Sequence, residues 1–122
     1  MATQPRVDPV ESLTAAYTDR ATGRLLTREL GREVLSRGAW ATVMFLVQDL
    51  DEKTGAWRAP KISVRRYQRV GQAYRFHAAF ALSGEKQARA MASVVGKWFD
   101  AGGAGREAMD ALGDAANAED DG

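Results

Sequence analysis

Six residues between positions 65 and 75 carry the most informative chemistry in this chain. Arg65, Arg66, Tyr67, Arg69, Tyr74 and Arg75 interleave guanidinium groups with phenol rings. Cations attract phosphates, and flat rings receive unstacked bases, each stack contributing about 1–3 kcal/mol. That combination suits a surface that holds single-stranded nucleic acid. Arg58 and Lys61 extend the positive run upstream, with Lys53 beyond them.

Whether these side chains share a face depends on the turn at Gly71-Gln72. A two-residue turn pairs Val70 with Ala73. Arg69 then faces Tyr74, Tyr67 faces Phe76, Arg65 faces Ala78 and Ser63 faces Phe80. One side shows Arg65, Tyr67, Arg69, Tyr74, Phe76 and Phe80. The other carries Ile62, Val64, Ala79 and Ala81, a small apolar surface suited to receive a helix, with Arg66, Gln68, Arg75 and His77 toward its open end. A turn longer by one residue inverts the parity. Phe76 and Phe80 also suit a core or a dimer interface.

The same inventory argues against catalysis. The chain has one histidine, His77, and no cysteine, so a Cys/His nucleophilic pair, a multi-histidine zinc site and a disulfide are all impossible. No phosphate-cradling P-loop or dinucleotide fingerprint is present. Asp49 and Asp51 sit beside a turn and read as solvated turn residues. The expectation is a protein that is not an enzyme and needs neither metal nor cofactor.

Charge is sorted by position. The total of 17 Lys+Arg against 16 Asp+Glu hides a net of +9 from Arg20 to Phe99 and a net of −6 from Asp100 to Gly122. A basic body with an acidic tail is a common layout for proteins that grip a polyanion. The tail is expected to compete for the basic surface or to recruit a protein partner. At 122 residues there is room for one small domain with a marginal core, so a homodimer is expected. No stretch approaches the roughly 20 apolar residues of a membrane span. The expected location is cytoplasmic, nucleoid association included.

Behind the basic segment, the elements are readable. Residues 1–22 read as a flexible N-terminal arm, 23–100 as a sheet-plus-helix domain and 101–122 as an acidic disordered tail. Leu25–Ser36 suits either a helix or a short strand, because Leu26, Leu30 and Val34 fall at helical spacing. Ala39–Leu50 is apolar on both faces and reads as a central strand covered on both sides. Trp57–Val70 and Ala73–Leu82 follow as further strands, with Pro60 near the start of the first. Ser83 is placed to cap a helix. Ala88, Met91, Ala92, Val95, Trp98 and Phe99 repeat along one helical stripe, ended by Gly102 and Gly103. Trp98 and Phe99 suit helix core or a seam between two helices. The fold class is α+β: an antiparallel sheet of three to four strands, then one amphipathic helix, between disordered tails.

The strand–strand–strand–helix order, and Ala81-Leu82-Ser83 leading into Ala88…Trp98-Phe99, resemble the Pur-alpha and Whirly group of single-stranded nucleic-acid-binding modules, which includes a general transcriptional coactivator. The resemblance covers about residues 30–100. In that group a Leu-Ser step opens the helix and a bulky aromatic residue closes it. Its members have four strands before the helix, whereas Leu25–Ser36 here reads equally as helix. The resemblance implies a homodimer that presents a sheet to single strands of DNA or RNA, with Arg65, Tyr67, Arg69, Tyr74 and Arg75 as contact residues; transcription and its regulation, repair and chromosome compaction are equally open as its setting. The rival reading is an interaction module in which sheet and helix build an oligomer or dock on a protein. A double-strand architectural binder is a further possibility, although no wedge residue marks one.

Overall fold

The computed structural model describes residues 9–113. It is α+β, with five antiparallel strands rather than three or four and two helices rather than one. The strands are β1 (Tyr17–Thr18), β2 (Leu25–Ser36), β3 (Trp40–Asp49), β4 (Lys61–Val70) and β5 (Ala73–Leu82). They lie side by side in chain order, so every connection is a local hairpin. Helices α1 (Glu85–Phe99) and α2 (Ala104–Leu112) follow. A single 3-10 turn, Pro9–Ser12, precedes the sheet.

The ambiguous segment is therefore a strand. Its residues paired with β3 run Thr27 to Glu29, then Gly31 to Val34, then Ser36, because Leu30 and Leu35 are extra residues at two bulges. A bulge resets the two-residue alternation of a strand. Apolar residues four apart then look helical although the backbone is extended.

The core sits on one face of the sheet, here called the inner face. Ala41, Val43, Phe45 and Val47 of β3 point into it and are at most 2 % exposed. Val10 and Ala15, from the segment read as a flexible arm, complete that core together with Tyr67. Residues 9–18 are thus an integral cover for the sheet. Residues 1–8 lie outside the described part of the chain. The opposite, outer face of β3 is only half covered: Met44 is partly buried, and Leu46 is 40 % exposed. The expectation of a strand covered on both sides is corrected, since among the described residues one face alone is sealed.

Glu29 of β2 fixes the cover. Its carboxylate accepts hydrogen bonds from the Thr14 hydroxyl (2.9 Å) and the Ala15 amide (3.3 Å), and it pairs with Arg32 at 2.9 Å. Arg32 in turn donates to the Glu11 carbonyl at 3.0 Å. Burial raises the carboxyl pKa, but Arg32, Thr14 and the Ala15 amide outweigh it and hold Glu29 below the ordinary carboxylate value of 4.5. The contribution is therefore complete above the unfolded pKa and lost as pH falls through the lowered folded value. Glu29→Gln is expected to lower the thermal midpoint at neutral pH and to flatten its fall in acid. Parallel acid titrations of the two proteins by circular dichroism check this.

At the end of β5, Ser83 bonds to the helix differently from the cap expected. Gly84 is the N-cap residue and offers no side chain. The Ser83 amide and hydroxyl both donate to Gln87 Oε1, at 2.8 and 3.1 Å. At the far end, α1 stops at Phe99, and Gly102 (φ 84°) turns the chain into α2. A Cβ on Gly103 would collide with the carbonyls of Lys97 and Trp98, so glycine is required for this close turn. The first part of the segment read as a disordered acidic tail is thus helix, braced by an Arg106–Asp110 pair at 2.9 Å. Residues 114–122 lie outside the described part.

Candidate nucleic-acid interface

The β4–β5 hairpin has the two-residue turn expected, with Gly71 at φ 64° and Val70 paired with Ala73. Arg69 faces Tyr74 and Tyr67 faces Phe76, also as expected. Beyond that point the register slips. Arg66 pairs with Ala78, Arg65 with Ala79, Val64 with Phe80 and Ser63 with Ala81, because His77 is the extra residue of a bulge. Parity inverts past the bulge. Ala79 and Ala81 belong to the inner face with Arg65 and Ser63, and Phe80 moves to the outer face beside Val64. The expected grouping of Phe80 with Arg65 and Tyr67 is corrected on that account, as is that of Ala79 and Ala81 with Ile62 and Val64.

The eight candidate residues separate by environment. Tyr67 is only 4 % exposed, its ring part of the core and edge-on to Phe76 at 6.1 Å. Buried in that way, it cannot stack on a base. Tyr74 is partly buried against the core, and its hydroxyl donates to the Gly38 carbonyl at 2.8 Å, tying β5 to the β2–β3 turn. Lys61 pairs with Asp49 at 2.6 Å, and Arg58 approaches Asp51 at 3.8 Å. Both cations are thus answered by carboxylates of their own chain. The Lys61 and Thr27 hydrogen bonds hold the Asp49 carboxyl below its ordinary value, so that pair stays charged well into acid.

Four arginines remain: Arg66, which lies over the Trp40 ring, and the three Arg65, Arg69 and Arg75. Among the described residues, none of the three meets a carboxylate. Arg65 lies on the inner face, its Nε donating to Ser63 Oγ at 3.2 Å and its guanidinium between the rings of Phe45 (5.8 Å) and Phe76 (5.9 Å). Arg69 shares that face two residues on, its Nε donating to the Gly71 carbonyl at 3.2 Å. Phe76 is 56 % exposed and pairs with Tyr67, the residue between these two arginines on the same face of β4. An exposed ring flanked by guanidiniums is a place where a base can stack while its phosphates are neutralised.

The outer face carries a second group around Trp40. The Arg66 guanidinium lies 4.7 Å above the Trp40 ring, and His77 meets the same ring edge-on at 4.8 Å. Gln68 pairs with Trp40 on one side and Arg75 on the other. Arg28 lies 4.4 Å above Trp57, further along the same face. Phe76, Trp40 and His77 are the additions to the candidate set. The Trp40 cluster joins residues more than twenty positions apart through the β3–β4 register, a pairing that no local spacing shows.

β5 is the last strand of the sheet, so its outer edge is free of backbone partners among the described residues. A strand of nucleic acid crossing that edge would meet Arg65, Arg69 and Phe76 on one side and Arg66 and Arg75 on the other. Among the described residues no group of three His, Cys, Asp or Glu side chains is placed to hold a metal ion. No described helix is long and apolar enough to cross a membrane. No family model, no curated protein and no solved structure matches the chain.

Proposed function

We propose that this protein binds single-stranded nucleic acid at the β4–β5 hairpin. The observation that carries the reading is Phe76, half exposed with the Arg65 guanidinium 5.9 Å from its ring and Arg69 one same-face position along β4 from its partner Tyr67. Neither arginine has a carboxylate among the described residues. Arg75 and the Trp40–Arg66–His77 group extend the cationic, aromatic surface around the strand edge. The +9 balance of residues 20–99 adds long-range attraction for a polyanion. The resemblance of residues 30–100 to the Pur-alpha and Whirly modules points the same way.

Mechanistically, the arginines displace counterions from phosphates while the ring stacks on a base without reading its identity. A duplex offers phosphates but no free base face, so the single strand is preferred. Fluorescence anisotropy of a labelled single strand and its duplex, titrated with the full chain at low and moderate salt, tests this. Tighter, salt-sensitive binding of the single strand is the expected result. Equal affinity for both forms would count against the stacking role, and no binding to either would end the proposal.

A further inference from the structure

The pairing of an arginine with a tryptophan recurs at the other end of the outer face. Arg28 of β2 lies 4.4 Å from the centroid of the Trp57 ring, against 4.7 Å for Arg66 over Trp40. The β3–β4 loop makes this second pairing possible. The Asp51 amide donates to the Ala56 carbonyl at 2.8 Å and closes the turn, and Leu50 then bridges Trp57. That bridge sets the ring at the end of β3, within reach of β2.

Arg28 is fixed from two sides. Its Nε donates to Gln48 Oε1 at 2.8 Å, and Gln48 Nε2 donates in turn to the Arg58 carbonyl at 3.1 Å. The ring and the amide hold the guanidinium, yet its two terminal Nη groups meet no acceptor among the described residues. A planar fork held with its terminal nitrogens unanswered is the donor set that a phosphate accepts. Arg24 reaches the same loop, since a Cβ on Gly55 would lie 4.0 Å from its Nη2. Its side chain likewise has no hydrogen-bond or ion-pair partner among the described residues. The aspartates of the adjoining turns are already engaged. Asp49 is taken by Lys61 and Thr27, Asp51 by the Lys53 amide and Arg58, and Asp19 by the Ala21 amide and the Thr22 hydroxyl.

We infer that Arg24 and Arg28 form a second phosphate-binding station, with Trp57 and Gln48 as the residues that position Arg28, for the same strand that the β4–β5 hairpin binds. This rests on the single-strand reading above and lengthens its footprint. Four positions apart, the two arginines are separated by about 13 Å of extended chain, enough to take separate phosphates. Trp40 and Gln48 stand eight residues apart on β3, which is about 27 Å at the rise of an antiparallel strand. The outer face between them is open. Phe80 is 50 % and Leu46 40 % exposed, and a cleft of about 480 Å³ holds α1 away from Leu46 and Ile62. At about 3.4 Å per stacked nucleotide, crossing that distance takes roughly eight nucleotides. The second station therefore acts on long strands only, as a tethered contact at high effective concentration. Because the Arg28 fork is already ordered, little further ordering is lost on binding.

The test compares anisotropy titrations of the full chain with single strands of about 4 and about 20 nucleotides, lengths that bracket the footprint of a small sheet domain. The proteins are wild type, an Arg24→Ala, Arg28→Gln double variant, Trp57→Leu, and the Arg65, Arg69, Arg75 triple-alanine variant. For the long strand, the double variant is expected to lose about 1.4 from the slope of log affinity against log salt, at ~0.7 per phosphate. Its affinity for the short strand is expected to equal that of wild type. Trp57→Leu releases Arg28 and is expected to weaken the long strand alone, whereas the triple variant weakens both. A double variant that matches wild type on the long strand, beside a weakened triple variant, would overturn the inference and leave the hairpin reading standing. Equal losses on both lengths in the double variant or in Trp57→Leu would also overturn it. A triple variant that binds both lengths as wild type does would overturn the hairpin reading, and the inference with it. If Arg28→Gln loses its circular dichroism, Arg24→Ala alone carries the test, with an expected slope change of about 0.7 on the long strand.

Discussion

Phe76→Ala is expected to weaken single-strand binding by roughly 5- to 150-fold, the equivalent of one lost base stack of about 1–3 kcal/mol. The ring is 56 % exposed and lies outside the buried core, so its removal leaves the sheet intact. The loss then reads as binding and not as unfolding. Combining Arg65→Ala, Arg69→Ala and Arg75→Ala removes cations instead of a stacking surface, and so has a different signature. Affinity falls at low salt and converges toward that of wild type as salt rises, since the arginine contribution is mostly counterion release. The Phe76→Ala deficit instead persists at every salt concentration. Tyr67→Phe is the informative control. Tyr67 is buried, so nucleic-acid affinity is expected to be unchanged when its hydroxyl goes. Anisotropy titrations of the three variants beside wild type separate these effects.

The second large effect concerns stability. Phe45 is the largest fully buried side chain of a seven-residue core, with Arg32 and Arg65 lying over its ring at 5.5 and 5.8 Å. Phe→Ala at such a site costs about 3–5 kcal/mol. Small domains have only about 5–15 kcal/mol in total. Phe45→Ala is therefore expected to lower the thermal midpoint by roughly 12–40 °C, at ~4–8 °C per kcal/mol in a domain of this size, or to leave the chain unfolded at room temperature. Differential scanning calorimetry checks it. A shift of only a few degrees would mean that the uncovered outer surfaces, and not this inner core, carry most of the stability. Because Arg65 rests on Phe45 and also reaches Phe76, the core also positions the binding surface.

The elements that repeat regularly were legible in the residues alone. β3 and the β4–β5 hairpin follow from β-branched and aromatic runs around Gly71-Gln72, and α1 follows from its apolar stripe. What escaped were departures from strict period. The bulges at Leu30 and Leu35 make β2 look half helical, and the bulge at His77 carries Phe80 from one face to the other. A bulge is set by neighbouring strands and leaves no local signature in residues of ordinary type. The N-terminal cover was missed for a related reason. Val10, Leu13 and Ala15 are too sparse to mark a core-facing element, and their burial depends on Glu29, Arg32 and the shape of a sheet formed later in the chain.

Within the candidate site, residue type was a good guide to the region and a poor guide to exposure. Arg65, Arg69 and Arg75 lie where strand alternation puts them. Tyr67, one of the same series, sinks into the core because its neighbour across β3 is Ala41, whose small side chain leaves room for the ring. Lys61 and Arg58 are drawn into pairs with Asp49 and Asp51, a consequence of the β3–β4 loop folding back on itself. Trp40 gains its significance only from strands that bring Arg66 and His77 beside it.

The most direct test of the account is the salt dependence of single-strand affinity, compared between wild type and the Arg65, Arg69, Arg75 triple-alanine protein. For single strands each neutralised phosphate contributes about 0.7 to the slope of log affinity against log salt. If the three arginines each hold a phosphate, the triple variant loses about 2 from that slope while circular dichroism stays that of wild type. An unchanged slope in a folded triple variant would place the nucleic-acid contacts elsewhere and contradict the assignment of the β4–β5 hairpin.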